Sequence, residues 1–175
     1  MKLVGVSLSI LLVLSIAFAL AAAESSGIPK EAIAEMQYRV GKWQATAWID
    51  GVQQAKPSSE TTKWVEGKYC IQITSSYVDK GKDIDETALV GWDADKKQLV
   101  ENWYDSNGGY ASYRYFLGKK KDSWVGSFTA IYADGKKLEG ESIVEKKGPD
   151  EWEWNATYMD AGKTHTWRTI NRRVK

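Results

Sequence analysis

An enzyme must converge an acid, a base or a nucleophile on one point, and few residue types in this chain are placed to do so. His165 is the single histidine and Cys70 the single cysteine. That excludes a two-histidine metal site, a zinc site built of cysteines and an intrachain disulfide. No Gly-x-Ser-x-Gly, no phosphate-cradling glycine loop and no HExxH occurs. The stretch "DKGKDID" and the pair Asp93 and Asp95 lack the glycine and distal glutamate of a calcium loop and read as solvated turns. Paired carboxylates stand at Asp85-Glu86, Glu139/Glu141 and Glu151/Glu153. Residues two apart in a strand share a face. Glu139 and Glu141 therefore lie opposite Leu138, and Glu151 and Glu153 opposite Trp152 and Trp154, as outward surface acids rather than a hydrolytic pair. Cys70, in "YCIQI", reads as a buried, inert thiol.

Binding suits these residues better than catalysis, and no cofactor is called for. Ala45 and Ala47 fall on the apolar face of their segment and leave room beside it. Tyr77 follows Tyr69, Ile71, Ile73 and Ser75 on one face. Arg114 shares a face with Ser112 and Phe116, while Tyr113 and Tyr115 occupy the other; the pattern leaves open which set points inward. An inward arginine or tyrosine hydroxyl would orient the polar head of a ligand in an otherwise apolar pocket. The candidate ligand-binding residues are accordingly Tyr77, Tyr113, Arg114 and Tyr115. A second reading gives the work to His165 or to interior polar residues, as a haem-binding or enzymatic site, because one proximal histidine suffices to hold haem iron.

These residues need elements to carry them. "IPKEAIAEMQYRV", residues 28–40, has helical spacing of Ile28, Ala32, Ile33, Met36 and Val40, with Pro29 suited to the first turn and Glu31 to the positive helix end. After Gly41 the period changes to two. "KWQATAWID" alternates, and segments rich in Thr, Val, Ile and aromatics follow, such as "YCIQITSSYV", "DETALVGWD" and "SWVGSFTAIYA". About ten such strands alternate with tight-turn signals at Asn107-Gly108-Gly109, Asp134-Gly135 and Ala161-Gly162. Consecutive strands joined by tight turns are antiparallel neighbours. The expected fold is all-β: an antiparallel up-and-down barrel of about ten strands with a short N-terminal helix, closure removing the exposed edges. Nine tryptophans and nine tyrosines supply the buried area that a core without disulfides requires.

Residues 1–23 read as a signal peptide, with Lys2 before the apolar run Leu3–Ala22 and small residues at Ala21-Ala22-Ala23. The expected location is periplasmic or secreted, with residues 24–175 forming one domain. Removing Lys2 takes the formal net charge from +1 to 0. A neutral mature chain offers no electrostatic footprint for nucleic acid or for anionic membrane, and no membrane insertion is expected of it. A small-molecule ligand is the expected partner.

The Gly-x-Trp of Gly41 and Trp43, entered from a short helix, resembles the first strand of the calycin superfamily of lipocalins and fatty-acid-binding proteins. The layout "EMQYRVGKWQA", "KWVEGKYCIQ", "LVGWDADKKQLVENWYDSNGG" and "DAGKTHTWRTINRR" resembles a bacterial secreted family, domain of unknown function 1579, over most of residues 31–173. The resemblance implies a lipocalin-like barrel whose closed end holds Trp43 against an arginine of the last strand, either Arg168 or Arg172. It implies no chemistry, since that family has none assigned.

Overall fold

A computed structural model describes residues 27–54, 57–79, 81–120 and 122–175; the expected signal peptide lies outside them. Helix α1 (Lys30–Arg39) follows Pro29, carries Glu31 in its first turn and Arg39 in its last, and so opposes the helix dipole at both ends. Its buried face is only partly the expected apolar stripe. Ala32, Ile33 and Met36 are joined there by Glu35 and Arg39, two charged residues at helical spacing.

The rest is strand: β1 (Gly41–Ile49), β2 (Val52–Gln53), β3 (Ser58–Trp64), β4 (Cys70–Asp79), β5 (Lys82–Asp93), β6 (Gln98–Asp105), β7 (Tyr110–Leu117), β8 (Ser123–Ile131), β9 (Lys137–Lys146), β10 (Glu151–Asp160) and β11 (Lys163–Arg173). Each long strand pairs antiparallel with the next, and β11 returns to β1 in register from Trp43↔Arg173 to Ile49↔Trp167. The result is a closed barrel of ten strands, with the short β2 added beside β1. This is the expected up-and-down architecture.

Register fixes which side chains face inward. Around the barrel Trp43 lies opposite Glu60, Glu60 opposite Ser75, Ser75 opposite Glu86, and Glu86 opposite Asp105. The same alternation turns Tyr113 and Tyr115 of β7, Phe128 of β8, Trp152 and Trp154 of β10, and Asn171 and Arg173 of β11 to the interior. Helix α1 closes the end at which β1 begins; Ala32 and Met36, fully buried, pack on a core that contains Trp43, Ile71, Val90 and Leu99. Cys70, expected in the core, belongs to the outward set because Ile71 takes the inward position; it is half-buried opposite Gly91.

Candidate functional site

The closed end is held by one aromatic and one cation. Trp43 is 1% exposed, its indole N–H donates to the Arg39 carbonyl at 2.7 Å, and its ring meets Trp152 edge-on at 6.3 Å. The arginine over it is Arg173, with its guanidinium carbon 4.1 Å from the ring centroid. Neither Arg168 nor Arg172 reaches it. Trp43 pairs with Arg173, so the even-numbered residues of β11 face out: Arg168 lies over Trp48 and pairs with Glu153, and Arg172 pairs with Glu151. Arg173 also donates to the carbonyls of Val40 and Tyr38, both at 2.8 Å, and pairs with Asp150. It therefore caps the carbonyl end of α1 with positive charge while stacking on the plug. Gly41 makes this approach feasible. Its φ is +134°, and a Cβ there would sit 2.6 Å from Arg173 Nη1.

Above the plug lies an ion network that the helix lowers into the barrel. Arg39, 2% exposed, donates to Glu35 at 3.0 Å and to Glu101 at 2.8 Å, and lies 5.1 Å from the Trp152 ring centroid. Lys146 approaches the other Glu35 oxygen at 3.1 Å, and the Trp103 indole donates to Glu101 at 2.6 Å. The two carboxylates hold the Arg39 guanidinium charged despite the desolvation that opposes it. Two cations thus meet two carboxylates.

The open half of the interior is less balanced. Glu60 is 8% exposed and accepts from Thr62 at 3.3 Å. Burial raises its carboxyl to about 7; Arg39 pulls it down from a distance and Glu101 pushes it up. Glu86 is likewise raised to about 7 by burial, then by Asp105 and Glu60, against a hydrogen bond from the Tyr77 hydroxyl. Between them in register sits Ser75. On the far side of β1, Asn171 is 1% exposed and its Nδ2 has no hydrogen-bond partner; the indole N–H of Trp167, also turned inward, has none. Asn171 and Ser58 both pair with Ala45, whose small side chain lies between them.

The expected ligand residues divide between the two faces. Tyr77 faces inward at the open half, pairing with the buried Ile84. Tyr113 and Tyr115 are inward too, their rings stacked at 6.0 Å, and the Trp154 indole donates to the Tyr115 hydroxyl at 2.9 Å. Burial raises both phenols, Tyr113 strongly. Arg114 is excluded from the interior because Tyr113 and Tyr115 occupy it. Its guanidinium bonds Ser112 and the Tyr113 carbonyl on the outer surface. His165 stands at the rim, stacked on Tyr158 at 5.5 Å, with its Nδ1 2.6 Å from Asp50. Among the described residues no group of three or more His, Cys, Asp or Glu is placed to hold a metal ion, and no helix is long and apolar enough to cross a membrane.

The inward acids were unequally visible beforehand. Glu86 stands between Ile84 and Ala88, and Glu101 between Leu99 and Trp103, so strict alternation places both on apolar faces. Glu60 lies in "SSETTKW", polar on both faces, and only pairing with Trp43 reveals its direction.

No family model matches the chain, and no curated protein is significantly similar to it in sequence. Solved structures do resemble it. Rv2717c from M. tuberculosis aligns with TM-score 0.55 at 13% identity, covering 82% of this chain and 98% of that one. The likeness is one of fold. A redesigned β-barrel, mFAP0, bound to DFHBI aligns with TM-score 0.43 at 16% identity over 78% of this chain and 100% of that one.

Proposed function

We propose that this protein is a binding barrel that takes a small apolar or amphipathic ligand into the open half of its interior, and that it is a calycin-like member of the secreted family of domain of unknown function 1579. The observation that carries the binding reading is that buried polar groups, Asn171 Nδ2 and Trp167 Nε1 among them, face the interior without a partner. A buried donor left unmade costs about 1–3 kcal/mol, and a ligand acceptor removes that cost. Support comes also from closure. An eight-stranded barrel is just wide enough to be filled by side chains or to hold one small ligand, and diameter grows with strand number; this barrel has ten, with Ala45, Ala47, Ser75 and Ala156 on its inner face. The family reading is supported by the plug itself, Gly41 and Trp43 against an arginine of the last strand, with Arg173 in that role.

Native mass spectrometry of protein purified from its own source, with an absorbance spectrum of the same sample, tests the binding reading. A co-purified organic molecule released on denaturation is the expected result. A Soret band that disappears in His165→Ala would transfer the function to the rim histidine; its Nδ1 contact with Asp50 leaves Nε2 as the ligating atom.

A further inference from the structure

On the outer wall of β7, β8 and β9 one row of side chains is apolar and the next is charged. Phe116 pairs with Val125, and Val125 with Ile143. All three face outward, because Tyr115, Trp124 and Val144 take the inward positions beside them. Phe116 and Val125 are exposed and Ile143 is half-buried. Apolar residues scattered singly over a surface are ordinary; side chains in direct register on three neighbouring strands make a patch. Two residues along the same strands, Arg114, Ser127 and Glu141 form the second row. Arg114 has only neutral partners, the Ser112 hydroxyl, the Tyr113 carbonyl and the Asn102 side-chain oxygen. Glu141 is exposed and forms no ion pair with a described residue. An open trough of about 600 Å³ runs along the two rows, with Phe116, Val125, Ser127, Glu141 and Ile143 among its lining residues.

We propose that this outer face is the interface of a two-fold dimer, and that a second copy of the same chain covers it, sheet on sheet. Two-fold closure is the commonest form of homo-oligomer, and it requires a surface complementary to itself. The two rows meet that requirement about an axis along β8. Rotation about this axis lays β8 over β8 of the second copy and exchanges β7 with β9, while each residue keeps its position along the strand. Arg114 then opposes Glu141 of the second copy, and Glu141 opposes Arg114 of the second copy. Phe116 and Ile143 oppose each other in the same reciprocal way, Val125 meets Val125, and Ser127 meets Ser127. In these two rows no like charges are brought together, and each charge that lacks an intrachain counter-ion gains one. Sheets packed face to face lie about 10 Å apart with strands within about 30° of each other, a separation that an arginine and a glutamate reaching from opposite walls can bridge. A partner of unrelated sequence gives no reason for the apolar row to be apolar at both flanks and the charged row to be opposite in sign at its two flanks. A second copy does.

Sedimentation equilibrium of the full protein tests this. The wild-type chain is expected to sediment as a dimer. Arg114→Glu and Glu141→Arg each set like charges against one another at both symmetry-related pairs, and each is expected to weaken the dimer about tenfold or more. Val125→Asp, which sets two carboxylates together on the axis, is expected to do the same without touching the ion pairs. Mixed in equal amounts, Arg114→Glu and Glu141→Arg are expected to form a heterodimer, because each pair then again joins an arginine to a glutamate. A wild-type protein that stays monomeric throughout the micromolar range overturns the proposal. A dimer that withstands all three substitutions overturns it as well, since the contact then lies elsewhere. Single variants that dissociate but do not associate on mixing overturn the reciprocal pairing of Arg114 with Glu141. The wild-type measurement stands whether or not a variant folds, and circular dichroism of the outward-facing variants checks that they do.

Discussion

At Gly41 two independent constraints meet. The backbone there has φ of +134°, which side chains with a Cβ rarely adopt, and the space a Cβ would fill is held by the Arg173 guanidinium. Gly41→Ala should lose about 1–3 kcal/mol to backbone strain alone, read as a lower midpoint in denaturant melts. Trp43→Ala should lose about 3–5 kcal/mol, as for other buried tryptophans. A double-mutant cycle separates the arginines: Arg173→Ala should couple to Trp43→Ala, whereas Arg168→Ala and Arg172→Ala should each stay within about 0.5 kcal/mol of wild type and add to it independently. Their ion pairs are exposed and contribute little. Coupling of Trp43 to either even-numbered arginine would contradict the register. At this scale the sequence pointed to Gly41 and Trp43, and of the arginines it offered, Arg168 and Arg172, neither lies over the indole, where Arg173 does. The segment "THTWRTINRR" carries arginine at three positions of both parities, and only pairing with β1 decides which parity faces the indole.

Helix α1 does more than cover an opening. It delivers Glu35 and Arg39, one turn apart, into a core otherwise made of aromatic and aliphatic side chains, and Arg39 joins the helix to β6 through Glu101. Removing one member leaves the others buried and uncompensated, which costs about 3–5 kcal/mol. Arg39→Met should therefore destabilise by about that amount. Glu35→Gln/Arg39→Met/Glu101→Gln, which removes the charges together, should recover much of the loss in thermal melts. No recovery in the triple variant would mean that packing of the arginine stem rather than its charge is what matters. The existence and position of this helix were legible from Pro29, Glu31 and the Ala32, Ile33, Met36 spacing. Its charged inner residues were not, because a glutamate and an arginine four apart are also the ordinary pattern of a solvated helix face. What distinguishes the two cases is Glu101, which lies more than sixty residues away in sequence.

For the whole molecule, closure followed from the regular succession of strands and turns, and the sites on the inner wall followed only where an acid broke an apolar alternation, as at Glu86 and Glu101. The consequence of placing Glu60 and Glu86 inside is a stability that depends on pH in an unusual sense. Their carboxyls are raised from 4.5 to about 7 by burial, with Asp105 and Glu60 adding to the effect at Glu86, and with Arg39 at Glu60 and Tyr77 at Glu86 opposing it. Below pH 4.5 both folded and unfolded chains carry these protons, and the fold keeps its full stability from them. Between 4.5 and about 7 the unfolded chain has released protons that the folded chain still binds, so stability falls as pH rises. At 1.36 kcal/mol per unit, Glu60 accounts for a loss of up to about 3 kcal/mol by pH 8. The carboxylates Asp50, Asp93, Glu145 and Asp160 act in the opposite sense: hydrogen bonds lower them, so their contribution disappears only as pH falls through the carboxylate range. Denaturant melts of the ligand-free protein from pH 4 to 8 should therefore show greatest stability near pH 5 and a decline toward pH 8. Glu60→Gln should flatten that decline and be more stable than wild type at pH 8 while matching it near pH 5. A wild-type profile that rises monotonically to pH 8 would mean that Glu60 and Glu86 ionise freely in the folded barrel, in contact with water or with a cation of the protein's own.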